Sequence, residues 1–257
     1  MTPTPSPLDP ALMRELAERS VDSRTRAARP VRETLADTCR ILAAEGHESG
    51  LAGQISARSE TPGRFLTLAF GWGFDEATAQ RMVEIDDDLA CTDGSGAIAN
   101  PATRFHLWVY RNRPDVQAIV HTHPPHASAL SMIGVPLKVS HMDATPFADN
   151  CAYLPSWPGL PVADDEGRII SAALGDKQTI LLAHHGFLAA GESVEQACFL
   201  AVFFERSARL QLLAQAAGTI GEIDRALALH ARSFLLKPSI VGATFDYWAR
   251  RLERSAG

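Results

Sequence analysis

The sequence predicts an α/β protein built around one main domain, and three observations carry that expectation. A β-branched apolar run from Ala118 breaks at Pro124-Pro125 and resumes as a small-residue helical pattern up to Gly134. A second strand, Gln178–Leu182, leads into His184-His185-Gly186. Around these two, segments with helical apolar spacing alternate with short strand-like runs, and no low-complexity linker or internal repeat divides the 257 residues.

Taken in order, residues 1–30 are expected to form a flexible N-terminal arm and lead-in helix, because Met1–Pro10 (MTPTPSPLDP) is rich in Pro, Thr and Ser. The main domain spans 31–220. It begins with a core-facing helix over 31–46, where Leu35, Cys39 and Leu42 recur at helical spacing and Gly46 supplies the stop. GQISAR (53–58), RFLTLAF (64–70) and MVEIDDD (82–88) read as strands of a mixed or antiparallel sheet, followed by a turn at Gly94 and Gly96. Pro101–Asn112 reads as a helix with Pro101 in its first turn, and RPDV (113–116) feeds the central strand. The Pro/Trp-rich stretch 153–161 reads as a covering loop, and a short helix from Ile169 ends at Gly175-Asp176. Ser193–Ala217 is the longest helical signal, with Val194, Ala197, Ala201, Phe204, Ala208 and Leu212 on one face. Residues 221–257 form a C-terminal helical tail whose Tyr247 and Trp248 either lid a site or pack on a neighbour.

Composition narrows the function. Apolar residues make up 46% of the chain, enough for a continuous core, and the net charge is −6 with a pI near 5.8. Lys and Arg form no stripe, which argues against a nucleic-acid or membrane-surface partner and for a small-molecule substrate. No apolar run approaches the roughly 20 residues of a bilayer span, and Met1–Pro10 has no basic or apolar targeting region, so a cytoplasmic location is expected. Cys39, Cys91, Cys151 and Cys198 are too widely spaced for a CxxC pair and read as scattered small hydrophobes.

The chemistry concentrates in histidines. Side chains two apart on a strand point the same way, so His121 and His123 can aim both imidazoles at one point beyond the strand end. His184 and His185 are adjacent and face opposite sides of an extended backbone, so one of them can join that pair; Gly186 lets the chain turn away behind it. Three neutral imidazoles with a position left open form a catalytic type of divalent-metal site. The alternative is that these histidines only satisfy loop carbonyls. His126, beyond the proline break, is expected to cap or hydrogen-bond.

The order GxxS at 53–56, FxxxTA at 74–79, RPDVxAIVHTHPPHASALS at 113–131, LLAHHGFLAAGES at 181–193 and FFE at 203–205 resembles the class II aldolase/adducin family over most of the chain. The resemblance implies a three-layer α-β-α fold, with a central mixed or antiparallel sheet flanked by helices. It implies a divalent metal on His121, His123 and His185, with Zn²⁺ the first choice and Fe²⁺ the alternative. It also implies a homotetramer with sites near subunit interfaces.

Two departures bear on the reaction. Where the sugar-phosphate aldolases of this family carry a proton-shuttling glutamate, four residues before His106, this chain has Ala102, and no acidic residue lies between Asp93 and Asp115. Their phosphate pocket uses a Gly-Asn pair and paired serines; here stand Gly53-Gln54 and Asn100-Pro101-Ala102. Gly53, Gln54, Asn100 and Ala102 are therefore the candidate substrate-binding positions, and a phosphorylated sugar is disfavoured. Phe70, Trp72, Phe74, Trp108, Phe147 and Trp157 would suit an apolar or aromatic ligand, or an ordinary core. His141 falls near the position of a tyrosine that acts as an acid in the neighbouring subunit's site, which makes it the candidate general acid/base, with Asp143 as its orienter. Glu205 is expected to be a structural hydrogen-bonding partner.

The expected function is a metal-dependent carbon–carbon lyase that cleaves or decarboxylates a small oxo or hydroxy acid. The first alternative is a non-haem Fe(II) oxygenase of aromatic hydroxy or oxo acids, and the second a non-catalytic adducin-like domain.

Overall fold

A computed structural model describes residues 29–160 and 163–255. The expected N-terminal arm lies almost wholly outside these residues.

The architecture is a seven-stranded sheet, order β3-β2-β1-β4-β7-β6-β5, packed between two helical layers. The strands are β1 (Gln54–Arg58), β2 (Phe65–Leu68), β3 (Met82–Ile85), β4 (Ala118–Thr122), β5 (Cys151–Leu154), β6 (Thr179–Leu182) and β7 (Gly186–Gly191). All neighbours are antiparallel except β5 and β6. The mixed sheet expected from the sequence is thus present.

Period-2 alternation divides the core in two. Ala118 and Val120 of β4 face a layer made of α1 (Val31–Ala44), α3 (Pro125–Met132), α5 (Val194–Ala217) and α7 (Pro238–Ser255). Ile119 faces the other way, onto α2 (Arg104–Asn112) and α4 (Asp164–Leu174). The helix between α5 and α7 in sequence, α6 (Arg225–Leu235), packs on the 3₁₀ segment Met142–Phe147. The result is the three-layer α-β-α sandwich.

Two readings change, and one strand is added. Tyr153 and Leu154, taken as the start of a loop, belong to β5, whose parallel pairing with β6 is a long-range contact that composition does not signal. GFLAAG (186–191) is the full strand β7; its glycines and alanines have low strand propensity, and burial between β4 and β6 overrides that. Of the C-terminal aromatics, Phe245 and Trp248 sit in the core beside α5, with Trp248 6.3 Å from Phe199 and 6.2 Å from Phe203, so Trp248 is not a lid, while Tyr247 faces solvent.

Candidate metal centre

The central strand ends where three chains of contact meet. His121 is the fourth residue of β4, buried on the α2 face, with its ring 4.9 Å from that of Phe105. His123 lies one residue beyond the strand and keeps the alternation, so its ring reaches the same side. His185 arrives from the turn between β6 and β7, its ring 4.8 Å from His121 and 4.7 Å from His123. One nitrogen from each of the three lies within 4.8 Å of the others.

His184 takes the left-handed conformation, φ 58°, and is exposed, which turns its side chain outward and His185 inward. The turn expected at Gly186 is therefore made one step earlier. Gly186 serves a different need: a Cβ there would stand 2.5 Å from the Thr122 carbonyl oxygen and 2.6 Å from His123 Cδ2. It is glycine because the strand end carrying His123 passes directly over it.

The donor set fits a divalent ion. His121 Nδ1 is 2.9 Å from the Phe187 carbonyl oxygen, which can only accept, so the proton sits on Nδ1 and the Nε2 lone pair faces His123 and His185. His121 Nε2 and His123 Nε2 are 2.9 Å apart. One proton can bridge such a pair, and a cation can take its place. Burial, reinforced by the neighbouring His185 and His123 rings, pulls His121 well below the usual imidazole range. Burial, then His123, brings His185 down to about 4, and burial lowers His123. All three are neutral near pH 7, as metal ligation requires. Among the described residues no carboxylate joins the cluster.

Two buried histidines support this frame from behind. His47, in the loop after α1, places Nδ1 2.9 Å from Thr122 Oγ1 and so ties down the strand end between the HxH pair. His106 of α2 places Nδ1 2.8 Å from Ser56 Oγ, which lies 3.0 Å from the Tyr110 hydroxyl. Neither was singled out for this role from the sequence, since an isolated histidine carries no local signal of its partner.

The remaining candidates do not join the three-histidine cluster. Gly53, Gln54 and Asn100 line one shallow depression, and Gln54 pairs in register with His121 across β1 and β4. Ala102 is half-buried beside it, where it packs on the α2-side core and donates its backbone N–H to Asn100 Oδ1 at 3.0 Å. His141 is half exposed, and its Nδ1 accepts the Asp143 backbone N–H at 3.2 Å; the buried Asp143 carboxylate pairs with Arg206. Glu205 accepts from the backbone N–H groups of His126 (3.0 Å) and Ala127 (2.8 Å) and lies 2.6 Å from His126 Nδ1. It thereby satisfies the orphan donors at the start of α3 from the side of α5. Of the six aromatics, Phe74 and Phe147 are buried, Trp108 packs over Gly167, and Phe70, Trp72 and Trp157 are exposed.

Residues 33–212 match the model of the class II aldolase and adducin N-terminal domain. The chain belongs to this family. Within it, this class II aldolase-family protein is 32% identical over 183 residues to the decarboxylase NovR of Streptomyces niveus, covering 70% of this chain and 68% of that one. It is also 32% identical over 173 residues to the 4-hydroxy-3-prenylphenylpyruvate oxygenase/4-hydroxy-3-prenylbenzoate synthase of Streptomyces roseochromogenus subsp. oscitans, covering 66% of this chain and 62% of that one. The L-fuculose 1-phosphate aldolase of Glaciozyma antarctica superposes with a TM-score of 0.81 at 26% identity, covering 93% of this chain and 96% of that one. Among the described residues no helix is long and apolar enough to cross a membrane.

Proposed function

We propose that this chain is a metal-dependent carbon–carbon lyase that decarboxylates or retro-aldol-cleaves a small oxo or hydroxy acid, with a divalent ion on His121, His123 and His185. The convergence of three neutral imidazoles from two distant segments, His121 locked by the Phe187 carbonyl, is the observation that carries this reading. Zn²⁺ is the first choice and Fe²⁺ the alternative. Such an ion supplies a Lewis acid for the substrate's carbonyl or hydroxyl oxygen.

The protein's own part is positioning and proton supply. His121 is held by Phe187, and the strand end by the His47–Thr122 contact, so the ligand nitrogens need no reorganisation. Ala102 offers no base. Decarboxylation of a 3-oxo acid needs none on carbon: the electron pair left by CO₂ passes to the carbonyl on the next carbon, giving an enolate, and one proton delivered to carbon completes the step. His141 is the proposed donor of that proton, oriented by Asp143, which Arg206 anchors. Its exposure, apart from the three-histidine cluster, suits a residue lent to a neighbouring subunit's site in a homotetramer. Gly53, Gln54, Asn100 and Ala102 are the proposed substrate contacts. A cytoplasmic location and a small-molecule partner complete the reading.

The oxygenase relative supports a second reading, in which the same three histidines hold Fe(II) for an aromatic oxo acid. Retention of all three histidines argues against a non-catalytic domain. Metal analysis of protein purified without added metal, combined with CO₂ release from 3-oxo acids, aldehyde release from hydroxy-oxo acids and oxygen uptake on aryl oxo acids, tests these readings. CO₂ or aldehyde release without oxygen uptake supports the lyase, and iron with ferrous-dependent oxygen uptake supports the oxygenase. Protein that binds no metal overturns both.

A further inference from the structure

The depression beside His121 has a composition that the metal centre does not account for. Its lining runs from Gly50 to Asn100 through β1, β2 and the loop after β2, and it contains no charged side chain. It encloses about 20 Å³, room for a single oxygen-sized group. At this level lies Gln54, 6% exposed, whose Oε1 is buried without a hydrogen-bond partner. An orphaned acceptor of this kind is costly unless a bound group donates to it.

The rim is apolar. Leu51, Phe70 and Trp72 are 46%, 49% and 39% exposed, and Ile98, 69% exposed, adjoins them through its carbonyl, which accepts the Phe70 N–H at 2.7 Å. Large apolar side chains gathered at one mouth mark a binding surface. Arg81 lies with its guanidinium 3.5 Å above the Trp72 ring and hydrogen-bonds the Glu76 carbonyl, so this cation is already engaged.

A sugar-phosphate dianion brings charge and acceptors only. The lining holds no cationic side chain to balance that charge, and the dianion has no hydrogen to donate to Gln54 Oε1. A hydroxyaryl group matches both layers: its hydroxyl fills the one-oxygen space and donates to Gln54, while the ring lies on Leu51, Phe70 and Trp72. Because Gln54 and His121 are directly opposed across β1 and β4, their side chains share one face of the sheet. A substrate anchored here by its ring extends its acid end toward the three histidines.

We infer that this depression is a distal subsite for the neutral hydroxyaryl end of the substrate, with Gln54 as the residue that selects the hydroxyl. The inference rests on the lyase reading only in calling the occupant a substrate; the subsite is tested by binding alone.

Calorimetry and quenching of tryptophan fluorescence would follow 4-hydroxyphenylpyruvate and phenylpyruvate binding to the full chain. The hydroxylated probe should bind about five- to tenfold more tightly, the range of one neutral hydrogen bond. Gln54→Leu should remove that preference to within about twofold while still binding phenylpyruvate. Trp72→Ala, at an exposed position that does not endanger folding, should weaken both probes about fivefold or more. Inorganic phosphate should not compete. Equal affinity of the two probes for the wild type, or displacement by phosphate, overturns the subsite. So does a Trp72→Ala variant that changes the oligomeric state without changing affinity, since the rim would then be a subunit interface. Probes that bind with the expected preference leave the subsite standing whether or not they are turned over, so its outcome is independent of the lyase reading, which the metal and turnover assays test.

Discussion

The ring nitrogen of His121 lies 2.9 Å from the backbone carbonyl of Phe187 on the adjacent strand β7. That contact sets the tautomer of the most buried of the three clustered histidines, and it comes from the main chain, so no side-chain substitution removes it directly. His121 and Leu188 are register partners, which brings the carbonyl of residue 187 beside the ring. Removal of the ring itself is the direct test. His121→Ala and His185→Ala should each retain less than about a tenth of the wild-type metal, as expected when one of three ligands is lost. Elemental analysis after gel filtration reads this, and full metal content in either variant would contradict the assignment.

Metal retention should depend on pH in a defined direction. Each imidazole must be neutral to ligate, and burial and the neighbouring rings hold all three below their ordinary value, with His185 at about 4. The ion should therefore persist through the range where a free histidine protonates, near 6.5, and be released as the pH approaches about 4. Metal content after dialysis at pH 7, 5.5 and 4 checks this. Release that is complete by pH 6 would place the ligands in a solvated setting.

Gly186→Ala should damage the centre without replacing a ligand. The added Cβ would meet the Thr122 carbonyl oxygen at 2.5 Å and His123 Cδ2 at 2.6 Å, and neither strand can retreat in a packed sheet. Overpacking of this kind costs about 1–3 kcal/mol. A lowered unfolding midpoint together with reduced metal affinity is expected; a variant of unchanged stability and metal content would show that the strands separate freely there.

Glu205→Ala should destabilise the fold by about 2–3 kcal/mol, because it leaves two backbone donors and the His126 ring facing a buried gap. Glu205→Gln keeps one acceptor and should lose less. Urea denaturation of both variants measures the difference, and equal losses would mean that the charge, and not the acceptor geometry, is what α3 requires.

Acid should weaken the protein through His47 and His106. Burial holds both at about 3 in the folded chain, against 6.5 for the unperturbed ring. Above pH 6.5 neither state is protonated and their packing contributes in full. Between pH 6.5 and 3 the unfolded chain takes up protons that the folded chain excludes, so stability falls by up to about 1.4 kcal/mol per pH unit for each histidine. Thermal unfolding across this range should show the decline, and His106→Gln should flatten it. A pH-independent midpoint in the wild type would contradict the burial of these rings.

The sequence by itself determined what local periodicity and short motifs can express. Alternation along Ala118–Thr122 put His121 and His123 on one side, and adjacency made His184 and His185 mutually exclusive. Apolar spacing placed α1, α2 and α5 close to their observed limits, and the ordered motifs carried the family. Tertiary structure decided everything that depends on register between segments far apart in the chain. It supplied the left-handed turn at His184 that presents His185, the ring the family motif had already indicated, recruited the Phe187 carbonyl and Thr122 into the frame, and gave Glu205 its task at the start of a helix 79 residues away. It also separated Phe70 and Trp72 at an exposed rim from Phe74 and Phe147 in the core, although all four are equally apolar as letters. A residue's spacing fixes which face it occupies, but what waits on that face is set by strand pairing and burial, and those are properties of the folded chain.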